Sequence, residues 1–276
     1  MSHASRFVRS AARAPPRIAL PAAAQEVTLK VHHFWAPTAM PPSTLLTPWC
    51  DKIAKDSNNR MKCQIYPAMQ LGGAPPQLIQ QAMDGVADIV WTLPGYTAGR
   101  FPVDGSVRAA VHVAKRRGDE PGGVGVLHAV RIQGVPGIKA LAVNVHDNGY
   151  IHTVSKQVKV MADFKGLKMR APTRQTNKLL GALGATPVAM PLPALGDALS
   201  KGRGRRLHAA VGSDSVDQGA HEFTKFESET DPKVRALYTA VFILAMNQAK
   251  YDSLPADLKQ RDRRELGAAL SRRRWA

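Results

Sequence analysis

Arg170 is the residue with the most specific chemistry to offer in this 276-residue chain. It ends the short strand Leu167-Lys168-Met169-Arg170, and its guanidinium is a planar fork of donors that fits a carboxylate bidentately. That fork stays charged even where water is excluded. Taken alone, an arginine at a strand end is more often a solvated surface charge, so its surroundings must decide. In open α/β sheets, ligands bind beyond the carboxyl ends of the strands. By that rule Phe34 and Trp35, at the end of the first strand, and Trp91 and Thr92, at the end of the third, are candidate cleft residues. Asn148 and Tyr150, in the loop before the Arg170 strand, and Leu192, after the Met190-Pro191 corner, join them. Such aromatic walls favour an organic acid with an apolar body, although Trp91 reads equally well as core.

Other chemistry is poorly supported. His32, His33, His146 and His152 lack the spacing of a metal site and have no carboxylate beside them, so they read as core or loop histidines. There is no nucleophile elbow, Gly-rich phosphate loop or paired general acid and base. The chain is therefore read as a non-enzyme that needs no metal or other cofactor. Cys50 and Cys63, the only cysteines, fall on a helix and on the strand after it. A disulfide in an oxidising compartment and a pair of buried thiols are both open.

The formal net charge of +17 would ordinarily suggest a nucleic-acid partner. Its distribution argues otherwise. Segments 1–24, 103–139, 201–220 and 260–276 carry a net +13, mostly as arginine, and the rest of the chain carries +4. Those segments lack helical or strand periodicity, as in Gly202-Arg203-Gly204-Arg205-Arg206, whereas a nucleic-acid surface would be written onto one face of regular elements. They read as out-of-frame translation of GC-rich DNA, or else as basic insertions. Re-sequencing the gene separates the two. A basic nucleic-acid-associated protein and a defective, poorly folding product are therefore the rival readings. Residues 1–24 resemble a damaged signal peptide: arginines precede a small-residue Ala22-Ala23-Ala24 site, but the apolar centre is short. No apolar run approaches the roughly eighteen residues of a membrane span.

The regular parts alternate strand and helix, which predicts an α/β fold with parallel-rich sheets flanked by helices. Val27 to Phe34, Met61 to Tyr66 and Asp88 to Thr92 read as strands. Helices open at Pro41-Pro42-Ser43 and Pro75-Pro76. Order returns with strand Ala140 to Val145, followed by a loop from His146 to Ser155. Thr173 then N-caps a helix that ends near Gly184. Thr186 to Met190 is a brief strand and Leu195 to Leu199 starts a helix. Segment 201–220 breaks the pattern where another strand belongs. Ala236 to Met246 reads as a long buried strand, and Ser253-Leu254-Pro255-Ala256-Asp257 starts a final helix.

Six stretches, in this order and spacing, resemble the substrate-binding subunits of TRAP-type transporters, the DctP-like family. They are Gln64-Ile65-Tyr66-Pro67, Gln70-Leu71-Gly72-Gly73, Met83 to Asp88, Asp163 to Pro172, Leu183 to Pro191, and Asn247 with Tyr251, Leu254 and Pro255. The resemblance covers about 26–102, 140–201 and 221–259. It implies a two-lobed periplasmic binding protein, type II-like, that closes about a hinge. Lobe I would span 25–139, lobe II with the crossover elements 140–259, and 260–276 would be a basic tail. It further implies a monomeric periplasmic receptor that takes a small organic acid to TRAP membrane permease subunits, with no nucleic-acid partner. Arg170, which follows Gly166-Leu167-Lys168-Met169, would be its carboxylate clamp. Tyr150 and Leu192 stand where many relatives have arginine or polar side chains, so a simple C4-dicarboxylate is not assumed.

Overall fold

The computed structural model describes residues 26–97, 135–146, 149–200, 207–211 (backbone only), 223–231 and 237–259. Residues 1–24 and 260–276, together with most of the 103–139 segment, lie outside them.

Among the described residues, ten strands form two five-stranded mixed sheets. β1 (Val27–His33) alternates buried and exposed residues along its first half, then runs buried to its end. It pairs in parallel with β2 (Met61–Tyr66) on one side and β3 (Ile89–Thr92) on the other. β10 (Val241–Asn247) inserts antiparallel between β3 and β4 (Ile138–Val145), giving the order β2-β1-β3-β10-β4. The long strand expected from Ala236 is thus confined to Val241–Asn247. Helix α1 (Thr47–Asp56) continues a π-helical turn at Pro42–Leu46, and Leu46, Trp49, Cys50 and Ile53 lie buried along one stripe. Cys50 on α1 is disulfide-bonded to Cys63 on β2. Helix α2 (Leu78–Met83) buries Leu78, Ile79 and Ala82.

The second sheet has the order β7-β6-β8-β5-β9. β6 (Lys168–Ala171) pairs in parallel with β7 (Thr186–Ala189) and β8 (Leu207–Val211). β5 (Tyr150–Thr153) pairs antiparallel with β8 and with β9 (Phe226–Ser228). Two expectations are corrected here. The span His146 to Ser155 is not all loop, because it contains β5. The 201–220 segment does supply the missing strand, as β8. Thr173 caps α3 (Arg174–Ala182) by accepting a hydrogen bond from Thr176 N at 3.2 Å. Helix α4 (Pro193–Ser200) follows β7, and its Leu195 and Leu199 join the core cluster of the first sheet. The second sheet has its own smaller core around Ile151, Phe164, Met169 and Leu180.

Among the described residues, those after β4 and those before β10 pair with each other where the chain passes between the sheets. Gly149 N donates to Tyr238 O at 2.9 Å, Thr239 Oγ1 donates to His146 O at 2.7 Å, and Ala240 N donates to His146 Nε2 at 3.0 Å.

Asn247 is a structural tie between β10, α2 and α5 (Gln248–Ser253). Its Nδ2 donates to Ala82 O (2.8 Å) and Met83 O (3.2 Å), which takes up carbonyls at the end of α2. Its Oδ1 accepts from Lys250 N at 2.8 Å, which caps α5. Asn247→Ala should cost about 2 kcal/mol of stability in denaturant unfolding. An unchanged midpoint would remove this role.

Acid should destabilise the fold in two steps. Burial, helped by the neighbouring His32, holds the His33 pKa down at about 4 from 6.5, against a backbone hydrogen bond involving Trp35. Hydrogen bonds from Lys156, then from the Lys159 and Val160 amides, hold Asp163 at about 2 from 3.8. Both folded-state values are depressed, so both contributions are full above the unfolded pKa and fade as pH falls. Tm should therefore drop first below pH 6.5 through His33 and its neighbour His32, whose pKa burial also lowers, then between 3.8 and 2 through Asp163. His33→Asn/His32→Asn should remove the first drop, and persistence of that drop would reassign it.

Candidate functional site

β6 places Arg170 one residue from its carboxyl end. The side chain is 2% exposed. Its Nε donates to Met190 O at 2.9 Å, which ties it to the turn after β7. Its Nη2 reaches across to the first sheet and donates to Tyr96 Oη at 3.4 Å. Tyr96 lies in the 3₁₀ turn Pro94–Tyr96 that directly follows β3. The same hydroxyl accepts from Leu192 N at 3.1 Å. Arg170 and Leu192, both picked out from sequence, are thus held together by a tyrosine that was not.

An aromatic wall extends from Tyr96 through the first lobe. The Phe34 ring lies 5.7 Å from that of Tyr96 and stacks on Trp35 at 4.1 Å. Trp35 in turn contacts Trp91 (4.6 Å) and Phe242 (5.5 Å). Phe34, Trp35 and Trp91 are all buried. Trp91 Nε1 donates to Asn144 Oδ1 on β4 at 3.2 Å, satisfying its polar edge inside the core. Thr92 is fully buried beside Trp91, and its hydroxyl has no hydrogen-bond partner among the described residues.

Tyr150 starts β5, opposite Val211 at the carboxyl end of β8. Arg170 pairs with Ala209 of β8, which pairs with His152. Tyr150 therefore sits at the same sheet edge as Arg170, two strands away. Asn148 lies outside the described residues. The histidines do not gather: His32 bonds to Gln81 on α2, and His146 serves the crossing. Among the described residues no group of three or more His, Cys, Asp or Glu side chains could hold a metal ion. None of the described helices is long and apolar enough to cross a membrane.

Two residues of the site carried signals that sequence reading passed over. Tyr96 stands four residues beyond the end of β3, within reach of the strand-end rule. Asn144 is an amide inside an apolar strand, and a buried amide needs a partner.

The described residues form two mixed α/β lobes joined by a paired crossing, and buried Arg170 meets the aromatic wall through Tyr96. The chain belongs to the family described as bacterial extracellular solute-binding protein, family 7 (DctP), which it matches over residues 31–270. That span brackets both internal basic segments. It is 43% identical to a TRAP solute-binding protein from Rhodoferax ferrireducens T118, solved in complex with copurified benzoate. The TM-score is 0.74, with 88% of this chain and 76% of that one covered. A marine-metagenome TRAP solute-binding protein specific for aromatic acid ligands, solved with 3-hydroxybenzoate, is 40% identical. Its TM-score is 0.76, over 89% of this chain and 77% of that one. The outer membrane transporter protein TsaT of Comamonas testosteroni is 23% identical over 252 residues, 90% of this chain and 72% of that protein. The family is one of extracellular solute-binding proteins, and the chain is one of them.

Proposed function

We propose that this receptor binds an aromatic monocarboxylate, with Arg170 holding the carboxylate and the Phe34–Trp35–Trp91 wall, extended by Tyr96, holding the ring. The observation that carries this is a single contact: a buried guanidinium meets the aromatic wall of the other lobe through Tyr96. A carboxylate brings opposite charge to a desolvated cation, where electrostatics are strong. An aromatic body gains offset or edge-to-face contacts with the wall. The ligands of the two relatives named above, benzoate and 3-hydroxybenzoate, have this chemistry. Tyr150 and Leu192 at the cleft edge provide apolar surface where a dicarboxylate would need a second cation. Asn148 and Thr92 are proposed as polar contacts to ring substituents.

The receptor works outside the cytoplasm, in the periplasm, as a monomer that delivers its ligand to a TRAP-type permease. It binds without chemical conversion of the ligand. The Cys50–Cys63 disulfide fits an oxidising compartment. A thermal-shift panel of benzoate, hydroxybenzoates, mandelate, malonate and galacturonate tests the ligand class. Benzoate and its hydroxy derivatives should give the largest saturable rise in Tm. A larger response to malonate or galacturonate would overturn the assignment.

A further inference from the structure

Gly95 does not owe its place to backbone conformation. Its φ is not positive, and the turn it occupies opens with Pro94. What excludes a side chain is the opposite lobe. A Cβ on Gly95 would stand 2.6 Å from Thr173 Cγ2 and 3.0 Å from Thr173 Cβ. Thr173 cannot swing aside cheaply, because its hydroxyl caps α3 through Thr176 N and also bonds Thr176 Oγ1 at 3.0 Å. The next residue, Tyr96, bonds Leu192 N and Arg170 Nη2. One three-residue turn of the first lobe thus meets the β6–α3 junction, the β7–α4 corner and the carboxylate hook.

We propose that Pro94–Gly95–Tyr96 is a closure latch: Gly95 lets the lobes seat against Thr173, and seating brings Tyr96 to orient Arg170 for its ligand. Gly95 is a positioning residue here, Tyr96 orients Arg170 besides extending the ring-holding wall, and the role of Arg170 rests on the ligand reading given above. Packed interfaces have discrete arrangements, so a methyl group at the contact shifts the balance between open and closed forms. Separation of the lobes would break this contact. Substitutions there should leave each lobe's own fold intact.

The experiment compares wild type, Gly95→Ala, Tyr96→Phe and the double variant Gly95→Ala/Thr173→Ser. Small-angle scattering is recorded with and without benzoate, and affinity is measured by calorimetry. Gly95→Ala should scatter as a more expanded particle and bind benzoate about tenfold more weakly or worse. Thr173→Ser keeps the capping hydroxyl and removes Cγ2, so the double variant should recover much of the compaction and affinity. Tyr96→Phe should keep the ring contact with Phe34 but release benzoate faster. Wild-type scattering and affinity in Gly95→Ala would overturn the latch. So would a Gly95→Ala defect that Thr173→Ser does not relieve, since a fault within the first lobe would ignore Thr173. If wild type ignores benzoate, the ligand reading fails, and the ligand-free scattering series still decides the latch.

Discussion

Arg170→Ala should raise the Kd for benzoate by about 100-fold or more. Truncating one partner of a buried, hydrogen-bonded charge pair costs about 2–5 kcal/mol, and each 1.4 kcal/mol is tenfold. Much of that loss comes from leaving a carboxylate desolvated without its partner. Arg170→Lys keeps the charge but loses the fork that now reaches Met190 O with one arm and Tyr96 Oη with another, so its affinity should fall between the two. Calorimetric titration of the three proteins gives the order directly. Equal affinity for Ala and Lys variants would mean that charge at this position contributes nothing.

Loss of the Cys50–Cys63 bond should be a large stability defect that leaves the proposed ligand contacts untouched. The bond closes a loop of sequence separation 13 between α1 and β2. Constraint of the unfolded chain by such a loop is worth about 3 kcal/mol. Cys50→Ala/Cys63→Ala, or wild type under reductant, should unfold at correspondingly lower denaturant concentration. Benzoate affinity at low temperature should stay within about twofold, because the bond joins α1 to β2 and neither cysteine is among the residues proposed to hold the ligand. An unchanged midpoint under full reduction would show that packing of α1 alone holds this corner.

Much of the first lobe was legible because its signals are local. β1 and β3 show themselves through β-branched and apolar runs, and α1 through the stripe Leu46, Trp49, Cys50, Ile53. Thr173 was readable as a cap because its chemistry needs only the next three residues. β5 was hidden for the opposite reason. Four residues, Tyr150–Thr153, become a strand only through partners about 60 and 75 positions away, and one of these, β8, sits in an arginine- and glycine-rich stretch with no strand pattern. Helix α5 was lost behind β10, since Asn247 ends the strand and caps the helix at once.

The cleft divides in the same way. Strand-end geometry led to Phe34 and Trp91, and the resemblance around Asp163 to Pro172 led to Arg170. Tyr96 joins the two lobes by a bond between positions 74 residues apart, and no local pattern announces it. The high net charge pointed toward nucleic acid only while it was averaged over the chain. The candidate site residues lie in the segments where charge is nearly balanced.

The most direct test of the central claim is a calorimetric titration of the wild-type protein with benzoate and, separately, with benzamide. The two share a ring and nearly a shape, but only benzoate offers an anion to Arg170. One-to-one saturable binding of benzoate, with benzamide at least about 100-fold weaker, is the predicted result. Equal binding of both, or no saturable binding of benzoate by the folded protein, would contradict a carboxylate hook facing an aromatic wall.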